Sequence, residues 1–92
     1  MTKADIISEI AKSTGVDKTT VASVIEGFME SVKGSMASGE NVYLRGFGTF
    51  LIKRRAEKVA RNISKNTTIT IPAHNIPAFK PAKEFQKAVK GE

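Results

Sequence analysis

The apolar residues Val21, Val24, Ile25, Phe28, Met29, Val32 and Met36 recur at i, +3, +4, +7, +8, +11 and +15, the period of one helix face. Asp17 stands where an N-cap belongs, and Gly39 stands where the chain can leave the helix. A helix with so wide an apolar face, carrying one Phe and two Met, must be covered on that side. A ligand could fill such a face, but the pattern favours a core or a second copy of the chain. With 92 residues the chain is expected to form one small domain that buries only a modest fraction of its surface, so it needs some further source of stability. No cysteine is present, which excludes a disulfide framework and a Cys-based zinc site, and a single histidine cannot build a His-rich metal centre. Oligomerisation is the remaining route, and a dimer is expected.

Ahead of this helix, Thr2 with Asp5 approximates a capping box, Ile6, Ile7, Ile10 and Ala11 line one face, and Thr14-Gly15 supplies a stop, which predicts a first helix. After Asn41 the period changes. Val42 to Arg45 and Thr49 to Ile52 are strand-like on either side of Gly46-Phe47-Gly48, the pattern of a hairpin. Thr67 to Ile71 (TTITI) predicts another strand, and Pro72 and Pro77 suit an edge or a bend. Pro81 fits the first turn of a last helix over 82–89, with Phe85 and Val89 facing in.

Lys53 to Arg61 (KRRAEKVAR) has helical composition, and Arg54, Lys58 and Arg61 would share a helical face. Its place between two β segments, with Asn62 to Asn66 as a polar turn, instead predicts a two-stranded ribbon of about ten residues per strand, roughly 33 Å long. Strict alternation then places Lys53, Arg55, Glu57, Val59 and Arg61 on one side and Arg54, Ala56, Lys58, Ala60 and Asn62 on the other. A ribbon with so little apolar content must project into solvent and is expected to be mobile until something fills it. The fold class is therefore α+β, with a helical base over 1–40, a sheet over 41–81 whose ribbon arm spans 53–75, and a short C-terminal helix and tail over 82–92.

Charge locates the partner. Residues 1–40 carry four lysines against six acids, net −2, whereas residues 41–92 carry eleven Lys and Arg against Glu57, Glu84 and Glu92, net +8. Such a basic half attracts polyanions, nucleic acid or an anionic membrane, the alternative being a solvated surface that only aids solubility. A lipid-bound basic helix is disfavoured because no clustered apolar face lies between Ala56 and Ile63. No signal peptide opens the chain, since Lys3, Asp5 and Glu9 interrupt residues 1–10, and no apolar run approaches spanning length, so a cytoplasmic protein is expected. Arg55, Lys58 and Arg61 would reach phosphates on both walls of a DNA groove, while Ala56 and Ala60 keep the ribbon slim. Ile63 at the tip is awkward in water; it is useful as a wedge between base pairs, the alternative being a tip residue that packs on its own ribbon. A nuclease needs clustered carboxylates or histidines, but the three acids of the basic half are widely spaced and His74, read as a surface residue, has no evident partner. No catalytic residue, metal site or cofactor is expected. An RNA-recognition sheet would need an aromatic-rich strand motif that is absent.

The order of two helices, Gly46-Phe47-Gly48-Thr49-Phe50, the Arg55-x-x-Lys58-x-x-Arg61-Asn62 arm, Thr68-Ile69-Thr70-Ile71, Pro77-Ala78-Phe79-Lys80 and a last helix bearing Lys83 resembles the bacterial HU and integration host factor family over essentially the whole chain. The resemblance implies an intertwined dimer with a helical base, a sheet saddle and two arms that embrace the minor groove, bending and compacting nucleoid DNA with little base readout and a preference for bent or distorted duplex. The partner copy would be the chain itself or a paralogue, with no membrane involved. On the same basis Arg45, Lys53, Arg55, Lys58, Arg61, Asn62, Ile63, Lys65, Lys80 and Lys83 are the expected DNA-contacting residues, and Phe28, Phe47, Phe50 and Phe79 the dimer core. Two positions depart from the family's usual pattern. Ile63 stands where the intercalating proline is usual, so the bend is expected to be softer or differently placed, and Asn66 stands near a tip glycine. Arg45 before Gly-Phe-Gly is similar to the sequence-preferring integration host factor branch, which leaves such a subunit as the alternative; the other reading of Arg45 is one more phosphate contact or a salt-bridge partner. Lys3 and Lys18, on the acidic helical part, are expected to be solvated or ion-paired.

Overall fold

The computed structural model describes residues 1–62 and 67–91, except for the side chains of residues 61, 62 and 67. The chain divides into two compact units, Met1–Gly34 and Ser35–Glu92.

The first unit is helical. α1, Lys3–Thr14, begins with the expected capping box: the Thr2 hydroxyl accepts from the Asp5 amide and the Asp5 carboxylate accepts from the Thr2 amide. The hydrogen bond from the Thr2 backbone N–H holds the Asp5 carboxyl below its ordinary range. Gly15 ends the helix, its N–H bonding the Ala11 carbonyl at 3.0 Å. α2, Lys18–Ala37, starts under Asp17, whose Oδ2 accepts from the Thr20 amide at 3.2 Å. Lys3 pairs with Glu26, so one of the two helical lysines expected to be solvated or ion-paired is bound to a carboxylate. Lys33 is raised in pKa by its hydrogen bond to Glu30, one turn away. Val21, 5% exposed, is the one buried large apolar side chain among the described residues, whereas Val24 at 65% and Phe28 at 44% stand open on the apolar face of α2.

The second unit is built on antiparallel strands. β1, Val42–Leu44, pairs with β2, Gly48–Arg55, through the expected hairpin. Arg45 lies in the turn and not at the end of the strand, because the Phe47 amide bonds the Leu44 carbonyl at 3.0 Å and closes the turn over Arg45-Gly46. Gly46, φ +79°, holds the left-handed position of that turn. β3, Lys58–Asn62, and β4, Thr67–Ile71, form a two-stranded ribbon, and β5, His74–Pro81, joins the other edge of β2 to give a three-stranded sheet in the order β1-β2-β5. Lys53 to Arg55 and Lys58 to Arg61 are thus strand, against the helical composition of the stretch.

The ribbon differs from the expectation in one respect. It is not one continuous pair of ten-residue strands with unbroken alternation, because pairing stops after Arg55↔His74 and resumes at Lys58↔Ile71. The cause is Pro72, which has no N–H to donate to a ladder and sits opposite the Ala56-Glu57 gap. Pro77 is tolerated within β5 because β5 is an edge strand.

α3, Lys83–Lys90, begins later than expected. Pro81 is not in its first turn. It ends β5, paired with Gly48, and Ala82 is the N-cap, its amide bonding the Phe47 carbonyl at 2.9 Å. Phe85 does face in. Its ring lies 5.1 Å from Phe47 and 5.9 Å from Phe79, which in turn stands 5.3 Å from Phe47 and 4.9 Å from Phe50. Val89 does not face in: one turn beyond Phe85 it has passed this cluster and is 76% exposed.

Candidate nucleic-acid interface

Antiparallel register decides which side chains share a face. Residues directly opposite one another point the same way, and every second residue along a strand does too. Phe50 opposite Val42 and Phe79, and Ile52 opposite Pro77, therefore belong to the side that holds the aromatic cluster. The other side carries Tyr43, Thr49 and Lys80 in one row, then Leu51 with Ala78, Lys53 with Ile76, and Arg55 with His74. Among the expected contacts, Lys53, Arg55 and Lys80 are thereby brought to one face. Arg54, on the aromatic side, is instead bonded across the strands to Asn75, Nη1 to Oδ1 at 3.3 Å. His74 is exposed, with Nδ1 2.9 Å from the Pro72 carbonyl oxygen, in keeping with a surface histidine.

No Asp or Glu occurs in any of the five strands. Both ion pairs among the described residues, Lys3–Glu26 and Glu30–Lys33, lie in the helical unit. Among the described side chains, the strand cations therefore form a positive surface with no carboxylate paired to them. Among the described residues no group of three or more His, Cys, Asp or Glu is placed to hold a metal ion. No described helix is long and apolar enough to cross a membrane.

In the ribbon, Lys58 shares a face with Ala60, Ile69 and Ile71, and Val59 with Thr70 lies on the other. Arg61 and Asn62 are in β3, opposite Thr68 and Thr67. The expected wedge Ile63 and the tip residues Lys65 and Asn66 lie outside the described residues. Arg45, Lys80 and Lys83 converge elsewhere: with Tyr43, Thr49, Gln86 and the adjoining backbone they line an open hollow of about 540 Å³. Beyond it Lys83, Gln86, Lys87 and Lys90 edge a smaller one, so α3 presents a stripe of three lysines. Sequence reasoning singles out Lys83 alone, although the +4 and +7 spacing of Lys87 and Lys90 on a predicted helix carries the signal. It also passes over Tyr43, whose placement depends on the register.

The sequence model of the family described as Bacterial DNA-binding protein matches residues 1–90. The chain belongs to this family. Its HU members include the SPbeta prophage-derived DNA-binding protein HU 2 of Bacillus subtilis, 39% identical over 92 residues and covering all of both chains. DNA-binding protein HU of Staphylococcus aureus is 39% identical over 90 residues, 98% of this chain and all of that one. Among solved structures, the HU of an Anabaena HU–DNA cocrystal superposes with a TM-score of 0.93 at 30% identity over the whole of both chains. HU from Thermotoga maritima gives 0.69 at 26% identity, covering 97% of this chain and 98% of that one. The HU fold, with two N-terminal helices, an antiparallel sheet with its ribbon and a C-terminal helix, is thus the fold of this chain.

Proposed function

We propose that this protein is an architectural DNA-binding protein that acts as a single binding domain in a dimer, grips duplex DNA with its ribbon arms in the minor groove, and bends and compacts it in the nucleoid. The observation that carries the reading is the set of five strands without a carboxylate, bearing Lys53, Arg55, Lys58, Arg61 and Lys80. Such a surface takes its affinity from phosphates and needs little base readout. It calls for no covalent chemistry, and no catalytic role is assigned to any residue. Arg55, Lys58, Arg61, Asn62 and Lys65 are read as arm contacts, and Ile63 as the wedge that opens a base step.

The dimer is supported by what the single chain leaves uncovered. Val24 and Phe28 on α2, and Phe47 and Phe79 in the aromatic cluster, all remain 38% exposed or more. A second copy, or a paralogue with the same apolar faces, would remove this area from water.

The test is energy transfer between dyes on the two ends of a short duplex, titrated at moderate salt. The ends approach if the protein bends DNA. A duplex that is bound and stays straight would overturn the bending reading and leave a coating or bridging protein. Arg45, exposed at the hairpin turn beside Lys80 and Lys83, favours one alternative, a sequence-preferring subunit like integration host factor. Competition by unrelated duplexes separates the two, since a sequence-preferring protein resists it.

A further inference from the structure

We infer that Tyr43 is a DNA-backbone contact at the far end of the sheet face, donating its phenol proton to a phosphate of the duplex that runs on beyond the arm; this rests on duplex DNA being the ligand. Tyr43 is 74% exposed, although its neighbours Val42 and Leu44 turn inward. One exposed aromatic needs no explanation by itself. Its surroundings supply one. Tyr43, Thr49 and Lys80 form a single cross-strand row on the face that also carries Lys53 and Arg55. The hollow beside it is edged by Arg45, Lys80, Lys83 and Gln86, all donors, and by no carboxylate.

The hydroxyl has a defined polarity. The Ile52 amide donates to Asn41 Oδ1 at 3.1 Å, which fixes the orientation of the Asn41 amide. Asn41 Nδ2 is then directed at Tyr43 Oη, a long contact of 3.5 Å in which the phenol accepts. A phenol that accepts from within the protein has its own proton left to donate outward. Phosphodiester oxygens only accept, so the pair matches, and the ring can lie against the adjoining deoxyribose.

The span follows from strand geometry. From Arg55 to Thr49 along β2 is six residues, about 20 Å at the rise of a strand. That is about six base pairs of duplex at 3.4 Å each. For a duplex lying along β2, Tyr43 is therefore reached only by DNA extending about that far past the arm contacts.

Tyr43 is the sole tyrosine in the sequence, so protein grown with 3-fluorotyrosine gives one ¹⁹F resonance. Binding is followed independently by anisotropy of labelled duplexes, one confined to the arm site and one longer by about six base pairs on each side. The expected result is a shifted resonance in the complex with the longer duplex and a nearly unshifted one with the shorter. The affinity gained on lengthening the duplex should fall roughly two- to tenfold in Tyr43→Phe, as for one hydrogen bond, and further in Tyr43→Ala. A bound long duplex that leaves the resonance in place, or a Tyr43→Phe protein that keeps the whole gain, overturns the inference while leaving the arm reading intact. Failure of both duplexes to bind would remove the arm reading and this one with it.

Discussion

Gly48→Ala is the substitution whose effect the structure fixes most closely. A Cβ on Gly48 would stand 2.5 Å from Phe79 Cζ, 2.7 Å from Phe79 Cε1 and 2.6 Å from the Lys80 carbonyl oxygen. Carbon atoms in contact sit about 3.5–4.0 Å apart, so something must move by about 1 Å. Neither neighbour can yield cheaply. Phe79 is held among the rings of Phe47, Phe50 and Phe85, and the Lys80 backbone is paired with Thr49. Overpacking costs about 1–3 kcal/mol, and a paired backbone carbonyl on one side with a ring hemmed by three others on the other places this case toward the upper end. At about 4–8 °C per kcal/mol for a domain of this size, 3 kcal/mol lowers Tm by about 12–24 °C. Calorimetry of wild type and variant at equal protein concentration measures it, with Gly46→Ala as the comparison. Gly46 has φ +79° and nothing within 4 Å of its added Cβ, so only backbone strain of about 1–2 kcal/mol is at stake there. A Gly48→Ala protein melting within about 2 °C of wild type, or above Gly46→Ala, would refute the close-approach argument.

Four further outcomes are expected. Gly34→Ala, on an exposed stretch of α2 with open space around the added methyl, should stabilise the protein by about 0.4–1 kcal/mol in urea denaturation, and destabilisation would show that something covers this position. Arg55→Ala should weaken binding to all sequences and reduce the slope of log affinity against log salt by about 0.9 for each phosphate that Arg55 neutralises, so an unchanged slope removes Arg55 from the phosphate-binding set. Ile63→Ala should reduce bending of intact duplex more than it reduces binding to nicked or pre-kinked duplex, and equal losses would contradict the wedge. Asp5, held below its ordinary pKa by the Thr2 amide, contributes stability that is present above its unfolded pKa and is lost as pH falls through the folded one; in Asp5→Asn the acid limb of the melting profile should flatten.

Much of this fold is written in local pattern. The Thr2/Asp5 box, the Asp17 cap and the apolar spacing of α2 act within a few residues, so they can be read without knowing the rest. The same holds for the hairpin around Gly46-Phe47-Gly48 and for the strand Thr67–Ile71. Lys53 to Arg61 is legible only from its neighbours, because its composition favours helix and pairing with β4 and β5 overrides it. The break at Ala56-Glu57 is hidden because its cause, Pro72, is remote in sequence and acts across the ladder. Pro81 misleads for a similar reason: its pairing with Gly48 is long-range, and strand pairing there outlasts the local preference for a helix start. For the candidate interface, residue type alone picks out the cations, while Tyr43 gains meaning only once register places it beside Thr49 and Lys80.

The gap between sheet and ribbon takes two residues from each strand, Ala56-Glu57 from one and Pro72-Ala73 from the other. Because the deletions from the ladder are equal, the count of residues is balanced on the two sides and the pairing that resumes is in step. This imposes a rule on the length of the chain. One residue added to β2 or to β5 near the gap would turn over the faces of everything beyond it on that strand. One residue added to each would lengthen the ribbon's stem and preserve the pairing. Variants of this arm should therefore tolerate length changes in matched pairs, and an engineer wishing to move its cations along a DNA groove should insert or delete on both strands together.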